Sequence, residues 1–151
     1  MNSQRELDAI LSKIKSSENV QKMNNYIQHG SVSTFEHCEN VAKLSYLIDK
    51  CFLLHSDMNV LLTGAMLHDF YLYDWHEKGD GSHHFHGFTH AKRAFENAKK
   101  EFNIDDATGH VIYCHMWPLN LERLPMSKEA WIVCIADKIV SLQESFFRRR
   151  F

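Results

Sequence analysis

The sequence predicts an all-α protein, a bundle of about six helices. Three observations predict it. Apolar residues recur at three- and four-residue steps in one segment after another. No segment alternates convincingly over strand length. Only two prolines and six glycines occur in 151 residues, so few positions interrupt a helix. A chain of this length buries a core without staples. The expected organisation is one domain, 1–151, with residues 1–30 as an N-terminal helix packed on a core of residues 33–147.

The first helix is expected over Ser3–Gln28, where Leu7, Ile10, Leu11, Ile14, Val20, Met23 and Ile27 share the helical period. His29-Gly30 ends it as a glycine cap would. Ser33-Thr34-Phe35-Glu36 fits a capping box. The second helix then runs to about His55, with Val41, Leu44, Leu47, Ile48 and Cys51 as its apolar stripe. The third, Asp57 to His68, is rich in Leu, Val, Ala and Met and reads as buried on most sides. A loop over Tyr71–His84 follows, with Asp74, Trp75, His76, Gly79 and Gly81. The fourth helix opens at His86-Gly87 and continues to about Phe102. Asp105 caps the fifth, Asp106 to about His115. Ser127 caps the last, Lys128 to about Phe147, whose expected core face is Ala130, Val133, Cys134, Ala136, Ile139, Val140 and Leu142.

Composition excludes several function classes. A net charge of −2 favours neither nucleic acid nor an anionic membrane as an obligatory partner. No apolar run approaches the roughly 20 residues of a membrane span. The N-terminal MNSQRELDAIL lacks the apolar core of a signal peptide. Cys38, Cys51, Cys114 and Cys134 lack CxxC spacing and read as buried free thiols of a reducing compartment, so a cytoplasmic location is expected. Arg148-Arg149-Arg150 reads as a solvated tail. The unusual number is 11 histidines, the commonest metal-ligand type.

The chemistry centres on Leu62–Phe70, LTGAMLHDF. Apolar residues lead into His68-Asp69, an imidazole and a carboxylate that suit a divalent metal of intermediate hardness. Adjacent helical residues diverge by about 100°, so both reach one ion only near a helix end. His37 points inward with Val41 and Leu44; alone it reads first as a core histidine bonded to a carbonyl, and the later ligand-type residues reverse that order. His86 and His90 are four apart and can share a face. His115, like His68, falls at a helix end. Asp137, among Ile135, Ala136, Ile139 and Val140, is costly to bury unless paired or bound to a cation.

The order His37 … His68-Asp69 … Asp137 resembles the HD-domain superfamily of metal-dependent phosphohydrolases, over roughly Ser33 to Glu144. GAMLHD, the His-Gly opening of the next helix, IYCHMWP and IADKIVSLQE are similar to members of that family. The resemblance implies a compact helical bundle in which His37, His68, Asp69 and Asp137 are the core metal ligands. His86 and His115 match positions that complete a second site in members with extra histidines, where Asp69 would bridge two ions. The doublet continues as Phe-Tyr rather than Ile-Gly, and no GYP follows His115, so a cyclic-dinucleotide phosphodiesterase is not expected.

The resemblance implies hydrolysis of a phosphate ester or anhydride on a small phosphorylated substrate, nucleotides included. One or two divalent ions are implied, with Mn, Mg, Fe, Zn, Ni and Co not distinguished. Asp69 and His90 are the candidate catalytic residues, His90 as proton donor to the leaving oxygen. Glu144 is a candidate to orient a ligand imidazole. Lys138 could assist a phosphate, but its adjacency to Asp137 on a helix is expected to turn it away into solvent or an ion pair. The alternatives are a di-iron HD-fold oxygenase and a metal-holding regulatory module without turnover. The expected state is monomer or homodimer.

Overall fold

A computed structural model describes residues 3–73 and 86–147. Seven α-helices dominate them: α1 (Ser3–Lys15), α2 (Glu18–Lys22), α3 (Thr34–Phe52), α4 (Met58–Leu67), α5 (His86–Phe102), α6 (Asp106–Cys114) and α7 (Lys128–Phe147). The expected all-α class holds.

The N-terminal segment differs from the single helix expected. The Ser16 hydroxyl donates to the Lys13 carbonyl at 2.7 Å, and Ser17 caps a new helix, its oxygen accepting from the Val20 N–H. Two serines thus offer the backbone an alternative to the helical ladder. After α2 and a 3-10 turn over Met23–Asn25, Ile27–His29 (β1) pairs antiparallel with Val32–Ser33 (β2). Gly30 sits between them at φ 60°, so it turns a small hairpin rather than capping a helix. Val20 and Met23 are nonetheless fully buried, as their periodicity requires.

The later helices begin where local chemistry says they should. Ser33 and Glu36 form a reciprocal capping box on α3. Asp57 accepts from the N–H groups of Asn59 and Val60, Asp105 from that of Thr108, and Ser127 from that of Ala130. Leu53, left-handed at φ 51°, closes α3.

α4 is the centre of the packing and touches α1, α3, α6 and α7. Val60, Leu61, Leu62, Ala65, Met66 and Leu67 are all buried in a core that Leu7 and Leu11 of α1 join. Some expected core positions are at the surface. Leu47, Ile139 and Leu142 are exposed, as is Cys51; the other three cysteines are buried. The reason is that polar residues occupy the inward rows. On α3 that row includes His37, Ser45 and Asp49, and Leu47 and Cys51 each lie two positions, about 200°, beyond a member of it. On α7 the inward row runs Ala130, Val133, Asp137, Val140, Glu144.

Most of the expected loop, residues 74–85 with Asp74, Trp75 and His76, lies outside the described residues, as does the Arg148–Arg150 tail. Among those described, no helix is long and apolar enough to cross a membrane.

α4 and α6 approach closely at Gly64. A Cβ there would lie 2.6 Å from Val111 Cγ1, and a β-branched side chain has little freedom to retreat. Gly64→Ala is therefore expected to lower unfolding free energy by about 1–3 kcal/mol in urea titrations. That sign opposes the roughly 1 kcal/mol by which alanine favours a helix. A stabilised variant would show that the two helices separate at little cost.

Candidate metal centre

Five helices deliver the candidate residues. His37 lies in the first turns of α3. His68 is the C-cap of α4 and Asp69 follows it. His90 lies on α5, His115 is the C-cap of α6, and Asp137 lies midway along α7. All six are buried.

The two C-cap histidines share one device. His68 Nδ1 is 2.6 Å from the Ala65 carbonyl, and His115 Nδ1 is 2.7 Å from the Ile112 carbonyl. A carbonyl only accepts, so each Nδ1 donates and each Nε2 is turned toward the site. The acceptors are last-turn carbonyls that a helix end leaves unpaired. His37 is oriented differently: its Nδ1 lies 2.8 Å from Glu144 Oε2, which turns Nε2 toward Asp137. Glu144 is buried, and its other oxygen accepts from Asn40.

Asp69 stands between two groups of imidazoles. Its Oδ2 is 3.6 Å from His37 Nε2 and 3.4 Å from His68 Nε2. Its Oδ1 is 3.2 Å from His90 Nε2 and 3.4 Å from His115 Nε2. Asp137 Oδ1 completes the first group, 3.0 Å from His37 Nε2 and 3.5 Å from His68 Nε2. Two clusters result, His37–His68–Asp69–Asp137 and Asp69–His90–His115, with the donor atoms of each within 4.8 Å of one another.

These donors fit a divalent ion. Nitrogen and oxygen ligands about 2.0–2.2 Å from a shared ion lie roughly 3–4 Å apart. His68 Nε2 and Asp69 Oδ1 are buried without a hydrogen-bond partner, which costs about 1–3 kcal/mol per group unless something else satisfies them. A third group, His29–His37–Glu144, shares His37 with the first. There Glu144 occupies the far nitrogen of a ring already aimed at Asp137.

Electrostatics agree with the geometry. Burial works to raise the Asp69 carboxyl, but the His68 charge and the facing ring nitrogens of His115, His68 and His90 outweigh it and hold it well below the usual range. Asp137 is likewise held low against its burial, by the hydrogen bond from His37, the facing His68 nitrogen and the charges of both rings. Burial would lower His37, yet its bonds to Asp137 and Glu144 and the nearby carboxylates raise it to about 10. Burial lowers His115, with the His68 charge adding to it against the pull of Asp69.

Of the residues expected here, the structure brings together His37, His68, Asp69, His115 and Asp137. His90, read from sequence as a proton donor, stands in the second cluster beside His115, with their Nε2 atoms 3.1 Å apart. His86 begins α5, and its side chain lies outside the described residues. Lys138 does not turn away: its ammonium donates to the His115 and Cys134 carbonyls, and the side chain lines the cavity above the centre. Gln28 was not anticipated. Its amide donates to Asp69 Oδ2 at 2.7 Å, while its oxygen accepts from Tyr71 and Thr34. No spacing signal marks it, because the hairpin that carries it was read as the end of a helix.

Glu144→Ala removes the acceptor that orients His37. Metal affinity measured by chelator competition is expected to fall about 10–100-fold, with helical content unchanged. Unaltered affinity would show that α3 alone fixes the ring.

A comparison with protein families matches the HD domain over residues 34–142. Searches of curated proteins and of solved structures returned no match. The match spans well over half the chain and includes the doublet, His37, His115 and Asp137. This chain belongs to the HD domain family, within a superfamily of metal-dependent phosphohydrolases.

Proposed function

We propose that this protein hydrolyses a phosphate ester or anhydride at a centre holding two divalent ions, with Asp69 as the ligand common to both. The carrying observation is that the two oxygens of Asp69 face two separate imidazole groups. His37, His68, Asp69 and Asp137 would hold one ion; Asp69, His90 and His115 would hold the other. His90 is thus read as a ligand rather than as a proton donor.

When bound, the ions supply Lewis acidity that activates water near neutral pH and offsets charge on the phosphoryl oxygens. The chain's own groups explain why cations are needed. Asp69, Asp137 and Glu144 are three buried carboxylates at one place, more negative charge than His37 and His68 offset, and they repel a phosphate dianion until further positive charge is supplied. The backbone carbonyls under His68 and His115 hold the Nε2 atoms toward the site in advance. Gln28 fixes the Asp69 carboxylate from the side opposite His90 and His115, through its bond to Oδ2. A cavity of about 920 Å3 opens over Asp69, His90, His115 and Asp137, giving a substrate a route to them.

The direct test is phosphate release from a phosphoester and nucleotide panel by protein of measured metal content. His68→Ala and Asp69→Ala are expected to lose metal and activity together, by more than the about 10–100-fold typical of an outer-shell change. His55→Asn, at an exposed position outside the cluster, should retain both. Iron with oxygen-dependent turnover and no phosphate release would overturn the reading in favour of the oxygenase.

Metal removal gives an independent readout. At free metal a hundredfold above its dissociation constant, binding adds about 2.7 kcal/mol to stability. A chelator should therefore lower the melting temperature of the native protein and leave that of Asp69→Ala unmoved.

A further inference from the structure

We infer that the cavity takes a phosphate monoester whose alcohol is apolar, with Lys138 receiving a phosphoryl oxygen and Leu119 and Leu142 covering the alcohol. The inference rests on the phosphohydrolase reading and names its substrate class.

The cavity has two chemically different parts. Asp69, His90, His115 and Asp137 form the metal-binding part. Met116, Pro118 and Leu119, from the segment after α6, and Leu142 of α7 form an apolar part. Leu119 and Leu142 are 47% and 59% exposed. Large aliphatic side chains left in water beside a polar centre mark where an apolar ligand gains by burial. Leu119 is also backed by the start of α5: a Cβ on Gly87 would stand 3.3 Å from its Cδ2. The absence of that Cβ leaves room for Leu119 at the rim.

Charge narrows the class further. Lys138 is the one lysine or arginine among the described residues lining the cavity. Its ammonium donates to the carbonyls of His115 and Cys134 and to Cys134 Sγ, at 3.1, 3.3 and 3.2 Å. All three partners are neutral, and no described carboxylate lies within ion-pair distance of it. The thiol sulfur is the weakest acceptor of the three, and exchanging it frees one N–H of Lys138 for a single phosphoryl oxygen.

In the reaction, the water oxygen bonds to phosphorus and the P–O bond to the alcohol breaks, its electron pair leaving on the alcohol oxygen. One water proton ends on that oxygen and the other on the phosphate, giving alcohol and hydrogen phosphate.

The test uses the full chain loaded with Mn2+. Phosphate release is compared for phenyl phosphate, hexyl phosphate, glycerol phosphate, ADP, ATP and pyrophosphate. Binding of phenylphosphonate and 3-hydroxypropylphosphonate is measured by calorimetry, which reads the cavity without turnover. The expected result is kcat/KM at least about tenfold higher for the apolar monoesters than for glycerol phosphate or any polyphosphate, and tighter binding of phenylphosphonate. Leu119→Asn/Leu142→Asn should erase that preference by raising KM for the apolar esters alone. Lys138→Met should raise KM for every monoester. A polyphosphate preference, equal binding of the two phosphonates, or an unchanged KM in Lys138→Met would overturn the inference. No phosphate from any compound, with phenylphosphonate still bound more tightly, would overturn the hydrolase reading while leaving the apolar subsite standing.

Discussion

The structure depends on one carboxylate placed between two groups of imidazoles. Asp69 is buried, ionised and faced by ring nitrogens on both oxygens, and five helices must arrive in register for that to happen. Its position follows from α4 ending where it does. Within a helix, His68 and Asp69 would point about 100° apart; at the terminus, the turn after Leu67 brings both side chains to the same place. The end of the most apolar helix is therefore also the most polar point of the interior. The core around α4 stabilises the fold enough to carry charged groups that would be unfavourable by themselves.

Those groups are supported in layers. Carbonyls at the ends of α4 and α6 hold His68 and His115, Glu144 holds His37, and Gln28 holds Asp69. Gln28 in turn is held by Tyr71 and Thr34. Each inner polar group thus leans on one whose geometry is set by backbone or by a second hydrogen bond. Such chains lower the freedom of the inner atoms before any ligand arrives. The small N-terminal hairpin has its meaning here: it carries Gln28 to the carboxylate and Ser33 to the cap of α3.

Much of this was legible in the sequence because it is local. The caps at Ser33, Asp105 and Ser127 depend on three-residue relations, and each helix begins beside its cap. The doublet, His37, His115 and Asp137 were readable because imidazoles and a carboxylate interrupt apolar rows that otherwise have no use for them. What was not legible depends on distant partners. The periodicity of Leu7 through Met23 continues across the break at Ser16-Ser17, since both pieces pack the same side inward. Leu47, Cys51, Ile139 and Leu142 were read as core because polar residues had displaced apolar ones from the inward rows. His86 and His90 share a helical face, so spacing could not say that His90 stands beside His115.

The close approach of α4 and α6 has a bearing on the centre itself. Gly64 stands one helical turn before His68, and Val111 one turn before His115. The contact between them therefore lies one turn below the imidazoles of His68 and His115, whose ring centroids are 4.8 Å apart. The missing side chain at position 64 works as a caliper: it gauges the gap between two imidazoles that face different oxygens of Asp69. The spacing of the two imidazole groups is in this way written into the hydrocarbon packing, one turn away from either ring.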